Sequence, residues 1–242
     1  MTKPSTYSEI CLPGFPQGLP QASPRAILFD WDNTLVNSWP TIHAGLVATF
    51  EHMGHEPWTL EDVKAGRGGI HRSLRESFPE IFGDRWEEAK RVYHEHFAVI
   101  HLDNLLPFEG ATDILRFLSE KDIFVGVVSN KTGKYLRKEV TFLGWDNYFS
   151  AVVGALDASR DKPDAAPIHL ALEETDIHAG EHVWFVGDSQ TDVDCALNAG
   201  CTPILLGQGA QEVGKGVYHM RGHNDMVQWL AMLQTPDAKL AT

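Results

Sequence analysis

The sequence predicts an α/β protein: a parallel sheet covered by helices on both faces, with an all-helical block inserted after the first strand. Three observations carry this. Short apolar runs at 26–30, 123–129 and 183–188 alternate with segments of helical period. These runs are apolar at consecutive positions rather than at every second one, which suits strands buried on both sides. Between residues 40 and 105 the strand-like runs vanish and only helical periods remain.

In chain order, residues 1–24 are rich in Pro and Gly, lack hydrophobic periodicity, and read as a tail or surface strap. The first strand covers 26–30. Ile42, Leu46, Phe50 and Met53 then form one helical stripe, and Trp86, Tyr93, Phe97 and Ile100 another. Between them Gly66, Arg67, Gly68 and Gly69 read as a mobile, backbone-exposing loop. A block of about 65 residues is large enough for a small domain and too small for a large core.

After Pro107 strands and helices alternate again. Ala111, Ile114, Leu115 and Leu118 share a helical face; 123–129 is a strand; Tyr135, Leu136, Val140 and Leu143 mark the next helix. A short strand at 151–153 precedes a helix that opens at Asp164, with Pro167 in its first turn. The strand at 183–188 leads into a helix that Gly200 ends. Strands at 202–206 and 217–220 and a helix over 226–233 complete the pattern. The predicted division is therefore a core of 25–39 with 106–242, a helical block of 40–105 and the tail. In such sheets, ligands bind beyond the carboxyl ends of the strands.

Composition narrows the function. A formal charge of −13 disfavours nucleic acid and anionic membrane as partners, because both select clustered Lys and Arg. No apolar run reaches the length of a membrane span or a signal peptide, and the three cysteines lack zinc-ligand spacing, so a cytoplasmic location is expected. The histidine pairs His52/His55 and His94/His96 have no nearby carboxylate or cysteine partners at matched spacing and read as solvated or packed residues. Oligomeric state is not encoded in these features.

The chemistry gathers where strands end. Asp30 and Asp32 lie at i and i+2 and project the same way from an extended segment. Like charges that close need a shared cation or proton; an Asx-type turn is the plain alternative. Ser129, Asn130 and Lys131 close the second apolar run, and Asn130 and Lys131 serve equally as turn residues or ligand contacts. Asp188 ends a third, with Asp192 one helical turn on, and Lys162 with Pro163 precedes a helix, where boundary chemistry is the alternative. Carboxylates gathered with a lysine and a hydroxyl suit Mg²⁺ shared with a substrate phosphate.

The segments D-W-D-N-T-L, S-N-K, D-K-P and G-D-S-Q-T-D, in that order, resemble the four signature motifs of the haloacid dehalogenase superfamily over residues 26–235. The resemblance implies a three-layer, Rossmann-like core, and the helical block at 40–105 resembles that superfamily's cap. It implies that Asp30 is the nucleophile of an aspartyl-phosphate mechanism and that Asp32 is the general acid and base. It further implies that Ser129 and Lys162 hold the phosphoryl oxygens. Mg²⁺ would be bound by Asp30, the backbone carbonyl of Asp32 and Asp188, with Asp192 acting through water or as an orienting group.

Dehalogenating members lack an acid at the position of Asp32, since a halide leaves without a proton. Phosphoryl transfer is therefore expected. Asn33 stands where the family usually has Gly, and Asn tolerates the left-handed backbone; Asn37 replaces a common Asp outside the core roles. Cap position and the S-N-K segment resemble phosphoglycolate phosphatases, so the expected substrate is a small phosphorylated metabolite. A sugar phosphomutase or a catalytically silent binding protein of the same fold are the alternatives. Arg67 and Arg72, beside the cap glycines, are candidates for recognising a carboxylate on the substrate or else solvated surface groups.

Overall fold

The computed structural model describes residues 20, 23–70, 72–103, 105–207 and 216–233. Apart from residues 20, 23 and 24, the predicted N-terminal tail lies outside the described residues. In chain order, β1 (Ala26–Phe29) and β2 (Val36–Asn37) precede helices α1 (Trp39–Met53), α2 (Leu60–Lys64), α3 (Leu74–Phe82) and α4 (Trp86–Ile100). Then follow β3 (Leu106–Pro107), α5 (Ala111–Ser119), β4 (Phe124–Thr132), α6 (Gly133–Phe142), β5 (Ala151–Ala155) and α7 (Ala166–Leu172). The described chain ends with β6 (Val183–Gly187), α8 (Gln190–Asn198), β7 (Thr202–Leu206), β8 (Tyr218–Met220) and α9 (His223–Leu233).

Six strands form a parallel sheet in the order β5-β4-β1-β6-β7-β8. Every residue of β1 is buried because successive side chains serve different layers. Ile27 and Phe29 pack with α5, α6 and α9, whereas Ala26 and Leu28 pack with α7 and α8. That is the three-layer core the sequence predicts. Phe29 is in register with both Val127 of β4 and Val186 of β6, so the residues just past β1 meet those ending its two neighbours.

The helical block has its own apolar centre, where Leu46, Phe50, Phe78, Phe82 and Phe97 pack together. Tyr135 joins that cluster from α6 of the core and donates its hydroxyl to the carbonyl of His94 at 3.0 Å. A second tie is the ion pair of Arg75 on α3 with Asp161 at 2.6 Å, whose carboxylate is 1% exposed and adjoins Lys162. α2 starts at a capping box in which the Thr59 hydroxyl accepts from the Asp62 amide and the Asp62 carboxylate accepts from the Thr59 amide.

Three details differ from the sequence reading. The strand expected at 123–129 runs on to Thr132, with a register irregularity after Val128, so Asn130 and Lys131 lie within β4 rather than after it. The segment 66–69, read as a backbone-exposing loop, contains a 3₁₀ turn, Arg67–Gly69, and left-handed glycines at 66, 68 and 69. Finally, β2 and β3 form an antiparallel ribbon, Val36 opposite Pro107 and Asn37 opposite Leu106, where the chain leaves for the helical block and returns. Two-residue strands are too short to show a period in sequence.

Phe78 is fully buried in the centre of the helical block. Phe78→Ala should destabilise this block by about 3–5 kcal/mol. Hydrogen exchange should then show lost protection in α1, α3 and α4 with β1 and β4 still protected; equal loss in both would refute a separately packed cap.

Candidate active site

Sheet register brings the polar strand ends together. Asp30 follows β1 and its amide donates to the carbonyl of Val186 at 2.8 Å, which holds it against β6. The chain then reverses through Asn33, whose φ of 63° lies in the left-handed region. Its side-chain oxygen accepts from the Ser38 amide at 3.1 Å, tying the turn to the start of α1. Asn therefore does the work of the more usual glycine and adds a hydrogen bond.

Lys162 is 3% exposed, and its Nζ lies 2.5 Å from Asp30 Oδ1 and 2.7 Å from Asp192 Oδ1. Burial alone would lower the ammonium's pKa; the Asp192 and Asp30 carboxylates outweigh it and push it up. The backbone carrying Lys162 is held by Asn130, whose amide accepts from the Lys162 N–H and donates to the Lys162 carbonyl, both at 3.0 Å. The Asn130 side chain is thus engaged with the protein as an artificial strand partner.

Asp192 is placed by α8. One of its oxygens accepts from the amide and the hydroxyl of Ser189 at 3.1 and 2.6 Å. Gly187 makes this approach feasible, because a Cβ there would lie 2.3 Å from Asp192 Cβ. Asp188 completes the group. Oxygen atoms of Asp30, Asp188 and Asp192 lie within 4.8 Å of one another, an all-oxygen donor set suited to a hard divalent cation. Burial pushes Asp30 up to about 6, Lys162 opposing and Asp192 reinforcing the shift, and burial with the Asp192 and Asp30 charges raises Asp188 well above the ordinary range. A single ammonium does not neutralise three clustered carboxylates, so the donor set fits a cation.

Asp30, Asp32, Ser129, Asn130, Lys131, Lys162, Asp188, Asp192 and Arg72 all line one cavity of about 120 Å³. Asp32 is 20% exposed, with Oδ1 2.5 Å from Lys131 Nζ. Lys131 is buried between Asp32 and Glu139, and their carboxylates raise its pKa against the effect of burial. Arg72 reaches the cavity from the helical block, but its guanidinium is paired with Glu80 by bonds of 2.9 and 2.6 Å. Arg67 does not join this site: it stacks over Trp58 at 5.0 Å and pairs with Asp62, lining a separate groove of the helical block.

Sequence reasoning missed Glu139, Thr34 and Ser189. Thr34 Oγ1 lies 3.4 Å from Asp30 Oδ2 and 3.5 Å from Asp188 Oδ1. Ser189 had a legible signal, the Ser-x-x-Asp spacing of a capping box. Glu139 had none, because one acid on a helix with neighbouring Lys and Arg reads as surface.

Known proteins similar to this chain identify its family. The family model described as haloacid dehalogenase-like hydrolase matches residues 27–206. Pyrophosphatase PpaX of Listeria welshimeri is 32% identical over 174 residues, covering 72% of this chain and 78% of the relative. A phosphoglycolate phosphatase of Chromobacterium violaceum is 30% identical over 191 residues, covering 76% and 86%. A solved HAD-superfamily hydrolase of Ehrlichia chaffeensis aligns with a TM-score of 0.60 at 27% identity, covering 88% of this chain and 99% of that one.

The pKa of Asp30, raised from 3.8 to about 6, sets a pH dependence. Between those values the cation-free folded protein binds a proton that the unfolded chain has released, so this group's contribution to stability falls as pH rises through the window. A divalent cation must displace that proton. The increase in Tm given by magnesium chloride should therefore be larger near about pH 7.5 than near about pH 5. A pH-independent increment in differential scanning fluorimetry would contradict this.

Proposed function

Because the chain belongs to the haloacid dehalogenase-like hydrolases, we propose that it is a Mg²⁺-dependent phosphatase that hydrolyses a small phosphomonoester through an aspartyl-phosphate on Asp30. The observation that carries this reading is the second carboxylate, Asp32, lining the same cavity as Asp30, Ser129 and Lys162. An acid there is needed when the leaving group is an alkoxide and is superfluous when it is a halide.

Asp30, Asp188 and Asp192, with the backbone carbonyl of Asp32, would hold Mg²⁺, which when bound would offset their charge and that of the phosphoryl oxygens. Asp30 attacks phosphorus with one carboxylate oxygen, the P–O bond to the alcohol breaks, and Asp32 gives its proton to the departing oxygen. Asp32, now a carboxylate, takes a proton from the water that attacks the acyl phosphate, releasing inorganic phosphate and restoring Asp30. Ser129 and Lys162 hold the phosphoryl oxygens throughout. Lys162 is already fixed by Asp30, Asp192 and the Asn130 amide, so little ordering remains when substrate arrives.

The two relatives named above act, by their names, on phosphoglycolate and pyrophosphate. Together with a cavity of about 120 Å³ they support a small phosphorylated metabolite as substrate. The helices α1–α4 serve as a cap that closes over it, supplying Trp39, Ile42, Leu74, Tyr93 and Phe97 to the wall, with Arg72 from the segment before α3. Arg72 lines this wall and would read a second anionic group of the substrate on exchanging its Glu80 partner for it.

Asp30→Asn should abolish phosphate release from p-nitrophenyl phosphate with the fold intact by circular dichroism, and turnover by that variant would refute the nucleophile assignment. Asp32→Asn should slow turnover of an alkyl phosphate by about 10²–10⁴-fold while calorimetry still detects Mg²⁺ binding; loss of metal binding would make its side chain a ligand instead. Selectivity divides the two arginines. Arg72→Ala should raise KM for phosphoglycolate more than for p-nitrophenyl phosphate, and Arg67→Ala should leave the kcat/KM ratio of the two within about twofold. A ratio moved by Arg67→Ala alone would place recognition in the other groove.

A further inference from the structure

A buried carboxylate behind the cavity takes no part in the chemistry above. Glu139 lies on α6, and its side chain has no exposed surface. Packing alone would put an apolar residue there, as at Leu136 and Val140 on the same helix face. Glu139 instead accepts three hydrogen bonds. Oε2 accepts from Trp31 Nε1 at 2.7 Å and from Lys131 Nζ at 2.8 Å; Oε1 is 2.9 Å from His101 Nδ1. An ionised carboxylate only accepts, so Nδ1 of His101 carries the hydrogen. The Lys131, His101 and Trp31 contacts outweigh burial and hold the Glu139 pKa below its usual value.

Each partner connects to something different. Trp31 lies between Asp30 and Asp32, and its ring is set edge-on to Trp145 at 5.7 Å. His101 follows α4, the last cap helix, and stacks on Phe97 at 5.4 Å. Lys131 extends past Glu139 to Asp32 Oδ1 at 2.5 Å. A lysine has a long, flexible stem and positions nothing by itself. Here its ammonium is held by a carboxylate that two packed rings hold in turn, so the rigidity of the core and the end of the cap reaches the Asp32 side chain.

We propose that Glu139 is a positioning residue for acid catalysis, which through Lys131 sets the Asp32 carboxyl group at the place where it meets the leaving oxygen. The inference rests on the phosphatase reading and goes beyond it, since Glu139 lies outside every motif that the resemblance supplied. It also gives Lys131 a task within the protein, where the sequence left it between turn residue and substrate contact.

The test exploits the leaving group. p-Nitrophenolate departs without a proton, whereas an alkoxide needs one, so a misplaced Asp32 penalises only the alkyl ester in full. In Glu139→Gln, the kcat/KM ratio of an alkyl phosphate (phosphoglycolate or propyl phosphate) to p-nitrophenyl phosphate should fall by about ten- to a hundredfold. Glu139→Asp, one methylene shorter and still charged, should shift the ratio in the same direction and guards against misfolding of the first variant. In an Asp32→Asn background, adding Glu139→Gln should leave the ratio within about twofold of the Asp32→Asn value, because two residues acting as a unit are non-additive. Equal loss on both esters, or a further shift in the Asp32→Asn background, would overturn the proposal and leave the phosphatase reading standing. A wild-type protein that hydrolyses neither ester with Mg²⁺ would overturn both.

Discussion

The ammonium of Lys162, buried between Asp30 and Asp192, is the interaction on which the site depends. Parallel strands deliver acids to one end of the sheet, and there burial raises the cost of their charge. One cation relieves part of that cost, and the raised pKa values of Asp30 and Asp188 measure what is left over. The remaining negative charge makes the cluster receptive to a divalent cation and, with it, to a phosphoryl group. Asn130 and Ser189 matter because they fix the residues that set this balance, Asn130 through the Lys162 backbone and Ser189 through the Asp192 carboxylate.

A second charge balance lies next to the first. Lys131 is shared by Asp32 and Glu139 much as Lys162 is shared by Asp30 and Asp192. Two lysines thus separate the acids into pairs with different surroundings: Asp30 is 8% exposed at the side chain and Asp32 20%. Different surroundings would let two carboxylates two residues apart take the separate roles of nucleophile and acid that the proposed mechanism gives them. The helical block is joined to this arrangement by contacts of its own. Tyr135 enters the apolar centre of that block, Arg75 reaches the Asp161 carboxylate beside Lys162, and His101 meets Glu139.

Much of this was legible in the chain. The central strands open with consecutive apolar residues, and the helical block is marked by its stripes at α1 and α4. Boundaries were less exact where an element was short or continued through polar residues, as at β2, β3 and the end of β4. A strand that ends through Ser129, Asn130, Lys131 and Thr132 looks like a strand followed by a turn, since nothing local distinguishes polar residues paired in a ladder from polar residues in solvent.

The sequence by itself determined the fold class, the order of the polar strand ends and the identity of the acids and lysines at them, because apolar period and residue chemistry are local properties. Tertiary structure decided which of these groups meet. The spatial neighbours of β1 are β4 and β6, and that adjacency places Ser129 and Asp188 beside Asp30. It directed Arg67 to Trp58 and Asp62 and brought Arg72 to the cavity, although the two are close in sequence and chemically alike. It also turned Glu139, an unremarked acid on a charged helix, into a buried centre joining residues 38 and 108 positions away. Such contacts depend on how helices and strands pack across the sheet, and a hydrogen bond between residues so distant in the chain leaves no trace in the composition or period around either one.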